Sequence, residues 1–165
     1  MNVCIRGITA ADTGALRHLL RSVSVFEPHE ISVAEELLAE ALSGNPDYVI
    51  HVAEGSRDVS DISAARGIVG YVCHGHNPVT DALYDLYWIA VDPAAQGLGI
   101  GRALITHAEN GVRDKGGRGI VIETSTRPEY ASARRLYEKC GYRKAAEVPD
   151  FYKPGDGLLI YLKFM

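Results

Sequence analysis

Val91-Asp-Pro-Ala-Ala-Gln96-Gly97-Leu98-Gly99-Ile100-Gly101-Arg102-Ala103-Leu104 is the stretch on which the reading of this chain turns. An apolar run over residues 86–91 leads into it, and an apolar-periodic helix pattern leaves it. Three glycines within five positions let the backbone fold tightly and turn several N–H groups to one side. At a helix N-terminus such a nest binds phosphate oxygens through its amides and through the positive end of the helix dipole. No Lys-Ser or Lys-Thr pair follows the glycines, so a Walker lysine and a magnesium-binding hydroxyl are both missing. The loop therefore suits a diphosphate that arrives without a catalytic metal, as on a nucleotide-bearing acyl carrier.

Outward from the loop, the chain reads as alternating strands and helices. The helix after the glycines should run from about residue 99 to 115, with Ile100, Ala103, Leu104, His107 and Ala108 on one face and Gly116-Gly117 ending it. Residues 119–124 form a strand of the buried type, so strand, loop, helix and strand make the central unit. Before the loop, residues 65–76 and 82–91 read as two strands joined by Asn77-Pro-Val-Thr80 into an antiparallel pair. Residues 2–8 and 48–53 make earlier strands, and residues 54–64 make a polar loop. Two helices lie between those strands, one with Leu16, Leu19, Leu20 and Val23 inward and one opening at Pro28. Pro128-Glu129 starts a last helix that Gly141 caps, and strands at 142–148 and 158–164 flank a Pro149-to-Gly157 loop. The order β-α-α-β-β-β-α-β-α-β-β predicts an α/β fold, a mixed sheet of about seven strands with about four helices on its two faces.

Composition narrows the function classes. At 165 residues, residues 1–165 are most economically one domain. A hydrophobic fraction of 47% and a charged fraction of 23% are ordinary for a soluble globular protein. The net charge of −4 argues against nucleic acid as partner and is compatible with a cationic one. Cys4, Cys73 and Cys140 show no paired metal spacing and read as free thiols in a reducing compartment. Without a secretory-type N-terminus or a membrane-length apolar run, the expectation is a cytoplasmic protein that binds no membrane.

Gln96-x-x-Gly99-x-Gly101 with Arg102 and Leu104, preceded by Ile89-Ala-Val-Asp-Pro93, resembles the acetyl-CoA loop of the GCN5-related N-acetyltransferases, the GNAT family. About 35 residues on, Ala133-x-x-Leu136-Tyr137-Glu138-Lys139-Cys140-Gly141-Tyr142 resembles that family's second signature, and the order of elements matches over the whole chain. The resemblance implies an acetyl-CoA-dependent N-acetyltransferase acting on a small-molecule or peptide amine by direct attack on the thioester, with no metal. It places the cosubstrate on Ile89, Ala90, Val91, Gln96, Gly97, Leu98, Gly99, Ile100, Gly101, Arg102 and Ser132. The strands at Val91 and Gly119 should splay, with a backbone N–H near Ile89 or Ala90 polarising the thioester carbonyl. Where many members carry an asparagine that bonds the cofactor, this chain has Tyr130, so Ser132 or Arg127 would take over that contact. Oligomeric state stays open, a homodimer included.

Catalysis divides into two proton problems. A thiolate leaving group, whose conjugate acid titrates at about 8.5, is helped by a nearby phenol. Tyr137 stands where the family places its general acid, although a helical tyrosine beside Leu136 also serves as a core aromatic. A lysine-like amine titrates near about 10.4 and must lose a proton before it attacks. Asp85, the only acid in the run 82–91, is one base; Glu123 at the end of the next strand, or ordered water, is another. His74 and His76 fall on one face of their strand, where they either line the amine pocket or stand in solvent. Two other readings remain. One is a CoA-binding regulatory module without catalysis. The other is a dinucleotide-binding βαβ unit ending in Glu123, which the glycine spacing disfavours because Arg102 or Leu104 takes the place of its third small residue.

Overall fold

A computed structural model describes residues 3–55 and 67–165. Its elements follow the expected order: β1 (Cys4–Gly7), α1 (Thr13–Ser22), α2 (Pro28–Leu42), β2 (Val49–Gly55), β3 (Gly67–His76), β4 (Leu83–Val91), α3 (Ile100–Asp114), β5 (Gly119–Ser125), α4 (Ala131–Lys139), β6 (Arg143–Lys153) and β7 (Asp156–Phe164). The seven strands make one sheet in the order β1-β2-β3-β4-β5-β7-β6. Most of the 54–64 loop, and the first residues proposed for β1 and β3, lie outside the described residues. The last two strands differ from expectation. β6 continues to Lys153 instead of stopping at Val148, and only Pro154-Gly155 separates it from β7. β7 then inserts between β5 and β6, antiparallel to both.

Each face of the sheet has its own core. The leucines of α1 repeat at helical spacing, and Leu16, Leu19 and Leu20 are fully buried against Val52, Tyr71 and Ala90 together with Ala34 and Leu38 of α2. On the other face, Ile100, Leu104, Ile105, Ala108 and Val112 of α3 pack on Val69, Val72, Leu86, Ile120 and Ile122. α2 begins at a proline, and the Glu27 N–H donates to Glu30 Oε2 at 2.7 Å, satisfying one amide at the helix start.

β4 is the strand that opens the sheet. It pairs antiparallel with β3 along its length, but the register slips between Cys73 and His74, so Trp88 opposes Cys73, Leu86 opposes His74, and Tyr87 is the extra residue. A bulge of this kind bends a strand and changes which face its side chains meet. Leu86 belongs to the α3-side core, whereas Trp88 and Ala90 pack on the α1–α2 side. With β5, β4 forms the one parallel pairing among the described strands, and it stops early: Leu83 opposes Gly119, Tyr84 opposes Ile120 and Asp85 opposes Val121. The strands part beyond that point, so the expected splay is found at the Val91 end of β4 and not at Gly119, which is paired with Leu83.

His74 corrects the sequence reading. It is 1% exposed and stacks on His51 at 6.1 Å between ring centroids, while His51 meets His107 edge-on at 4.3 Å. Neither His74 nor the exposed His76 lines the main cavity. Burial, with smaller contributions from the neighbouring histidines and Lys115, pushes His74 and His51 down to about 4. Between pH 6.5 and 4 the unfolded chain protonates these rings and the folded chain does not, so stability is complete above about pH 6.5 and falls as the pH drops toward 4. For His74 alone the difference is roughly 3 kcal/mol. Chemical denaturation at pH 7 and pH 5 should show this loss, and His74→Phe should flatten the dependence; equal midpoints at the two pH values would contradict it.

Candidate active site

The gap between the parted ends of β4 and β5 opens into a cavity of about 950 Å³. One end is the glycine loop. Asp92 closes β4 by accepting a 2.9 Å hydrogen bond from the Ala94 N–H, and Pro93–Ala95 makes a single 3₁₀ turn. Gly97 and Gly99 then take positive φ of 78° and 83°, a left-handed conformation that side-chain-bearing residues rarely adopt. The first bond of α3 runs from the Ala103 N–H to the Gly99 carbonyl at 3.0 Å. Helix geometry therefore leaves the amides of Ile100, Gly101 and Arg102 without an intrahelical acceptor and facing the loop. A Cβ at Gly101 would come within 2.8 Å of Leu136 Cδ2, so the third glycine lets α3 approach α4. A positive helix end, orphan amides and open space at the Gly99 Cβ position together fit a diphosphate.

The cavity collects nearly every residue singled out in the sequence. Ile89, Ala90, Val91, Gln96, Gly97, Gly99, Ile100, Gly101, Arg102 and Ser132 line it, and so do Tyr137, Asp85 and Glu123. Leu98 is the exception, 40% exposed and absent from the lining. Gln96 bends back instead of reaching outward, its Nε2 donating to the Val91 carbonyl at 3.3 Å. Beyond Asp85, β4 has no pairing with β5, so its backbone groups face the cavity.

Tyr137 enters from α4. It is 5% exposed and packs edge-on against Tyr161 at 5.9 Å and Tyr142 at 6.5 Å. Burial first, then Tyr161, holds its phenol above the ordinary range, so the hydroxyl keeps its proton at neutral pH. Asp85 sits at the fork where β4 leaves β5 and accepts a 2.9 Å hydrogen bond from Asn77 Nδ2. Burial raises its carboxyl, while Asn77 and His76 oppose the shift without cancelling it. Glu123 lies further along β5, exposed, with no hydrogen bond or ion pair to any described residue.

The opposite end is built by segments distant in sequence. Val25, Phe26 and Glu30, from the α1–α2 connection and α2, line this end together with Tyr152 of β6 and Asp156 of β7. Phe26 packs on Trp88 at 5.4 Å. Arg127 is bound at this end instead of standing free for a cofactor: Nη1 meets Glu27 Oε1 at 2.6 Å, Nη2 lies 3.5 Å from Glu30 Oε2, and Nε lies 3.5 Å from Asp156 Oδ2. Tyr130, in the asparagine position, donates its hydroxyl to Glu30 Oε1 at 2.7 Å and lies under the Arg127 guanidinium at 5.1 Å. It ties α4 to α2, a role with no local sequence signal because its partner lies 100 residues away. Trp88, Phe26 and Tyr152 were likewise invisible as site residues, since only the bulge in β4 and the β6–β7 hairpin bring them together.

A family model described as an acetyltransferase (GNAT) domain matches residues 46–144, from β2 through the second signature to the start of β6. This chain belongs to the GNAT family. Across 99% of its length it superposes on 99% of a GNAT-family protein from Desulfovibrio desulfuricans, with a TM-score of 0.88 and 36% identity. Blasticidin-S acetyltransferase of Streptomyces morookaense is 42% identical over 92 residues, 55% of this chain and 59% of that protein. NAA60 of Arabidopsis thaliana, crystallised with acetyl-CoA, shares the fold at a TM-score of 0.74 and 18% identity, over 99% of each chain. The chain spans between 17% and 59% of the length of its curated sequence relatives. Membership in this family, with a single parallel strand pair among the described strands, replaces the dinucleotide-binding alternative. No helix among the described residues is long and apolar enough to cross a membrane.

Proposed function

We propose that this GNAT protein transfers the acetyl group of acetyl-CoA to a primary amine, with Tyr137 as general acid. The observation that carries this reading is one continuous cavity with an amide cradle at one end and a buried phenol and a raised carboxyl beyond it. Bound acetyl-CoA would supply an activated acyl group as a thioester. The amides of Ile100, Gly101 and Arg102, with the α3 dipole, hold its diphosphate, and the Arg102 side chain adds positive charge. The unpaired edge of β4 around Ile89 to Val91 takes the pantetheine amides and presents a backbone N–H to the thioester carbonyl. Such a donor is typically worth about 3 kcal/mol in the transition state. Tyr137 keeps its proton because it is buried, and gives it to or shares it with the departing sulfur. Asp85 accepts the proton that the amine must lose.

The test is thiol release on mixing the protein with acetyl-CoA and a panel of amines. Amine-dependent release of CoA supports the reading; uptake of acetyl-CoA with no release for any amine would make the protein a CoA-binding module. Asp85→Asn separates the base from its alternatives. Because its carboxyl is raised, Asp85 is neutralised by protonation at a higher pH than an ordinary aspartate, and the wild-type rate should fall on the acid side through that pKa. The asparagine variant should lose this limb and recover as the pH approaches the amine's own pKa. An unchanged pH profile would remove Asp85 from the mechanism and pass the role to Glu123 or water.

A further inference from the structure

Among the described residues at the acceptor end of the cavity, Glu123 is a carboxylate left without a partner, whereas Arg127 is already paired. Arg127, the guanidinium at that end, is surrounded by Glu27, Glu30 and Asp156. Asp156 accepts from Ser125 Oγ at 2.5 Å, Glu30 accepts from Tyr130, and Asp85 accepts from Asn77. Glu123 alone among these carboxylates has no hydrogen bond or ion pair to a described residue, although it lines the same cavity. The Tyr152 phenol near it is raised by burial and then by the negative charges of Glu123, Asp156 and Glu30. Aromatic rings supply the rest of the wall at Phe26, Tyr87, Trp88 and Tyr152, a surface that attracts cations over its faces.

The geometry points to an acceptor that is a small amine carrying a second positive charge, with Glu123 binding that second charge while the reacting amine meets Asp85. This rests on the transferase reading and adds the substrate class to it. Ile120 and Ile122 point into the α3-side core, so Val121 and Glu123 face the opposite side. Asp85 is paired beside Val121, one pleat away from Glu123, and strand spacings put the Asp85 and Glu123 Cα atoms about 8 Å apart or more where the sheet opens. A short aliphatic diamine bridges such a gap. An acceptor ending in a carboxylate would instead meet Glu123 with no free cation to compensate.

Three acceptors of matched length test the idea at saturating acetyl-CoA: putrescine, n-butylamine and 4-aminobutanoate. The wild type should favour putrescine over n-butylamine in kcat/KM by roughly 10- to 100-fold, the worth of one hydrogen bond to a charged group. The preference should reside in KM, and 4-aminobutanoate should be the poorest of the three. Glu123→Gln should bring the putrescine-to-butylamine ratio close to one while keeping the acid limb of the pH profile, which separates charge recognition from a base role. Glu123→Lys should reverse the order and make 4-aminobutanoate better than putrescine. Equal use of putrescine and n-butylamine by the wild type, or the same loss for both in Glu123→Gln, would overturn the inference and leave the transferase reading standing. No thiol release with any amine would overturn both.

Discussion

Tyr137→Phe should lower kcat by about 100-fold or more while leaving the melting temperature and the affinity for acetyl-CoA nearly unchanged, the usual scale for loss of general acid–base catalysis. The substitution removes one oxygen from a ring wedged between Tyr142 and Tyr161, so the edge-on packing survives. No described residue forms a hydrogen bond with that hydroxyl, so its loss strands no buried partner, and a fall in activity could not be ascribed to a disturbed network. The defect should depend on the leaving group: an acyl donor with a more acidic thiol needs less help and should recover part of the rate. Full activity of the phenylalanine enzyme with a good amine would reduce Tyr137 to a packing residue.

Acetyl-CoA should stabilise the protein by about 2.7 kcal/mol at 100 times its dissociation constant, and Gly99→Val should abolish that gain. Gly99 holds φ at 83°, and a Cβ built there meets no protein atom within 4 Å. The valine therefore costs backbone strain in the free protein and additionally projects into the space above the α3 amides where a diphosphate must lie. Gly44→Val provides the strain control, since Gly44 has φ of 87°, equally open space and no place in the cavity. Thermal unfolding of both variants should show lowered stability without ligand, with the acetyl-CoA shift surviving only in the Gly44 variant. NAD and ATP should shift the wild type much less. A larger shift with NAD than with acetyl-CoA would remove the assignment of the glycine loop.

Local chemistry wrote much of this into the chain. The leucines of α1 and the apolar stripe of α3 recur every three or four residues because only that spacing puts them on one face, and both faces are buried as the spacing requires. Gly97 and Gly99 mark the turn because left-handed backbone excludes most other residues, and an N-terminal cradle is a property of a few consecutive amides. For the same reason the glycine loop and the order of elements could be read in advance, whereas Tyr137 was singled out by the resemblance of its helix to a family signature. Tertiary structure decided what depends on distant partners. The insertion of β7 between β5 and β6 and the bulge at Tyr87 follow from pairing between strands, which no local pattern specifies. His74 became a buried neutral ring because His51 and α3 cover it, not because of its neighbours in sequence. Arg127, which by sequence could have reached a cofactor, is neutralised by Glu27, Glu30 and Asp156, roughly 100 and 30 residues away along the chain. Of Glu27, Glu30, Asp85, Glu123 and Asp156, that long-range pairing leaves Glu123 as the carboxylate without a hydrogen bond or ion pair to a described residue: net charge is a property of composition, but which of these charges remains free is a property of the fold.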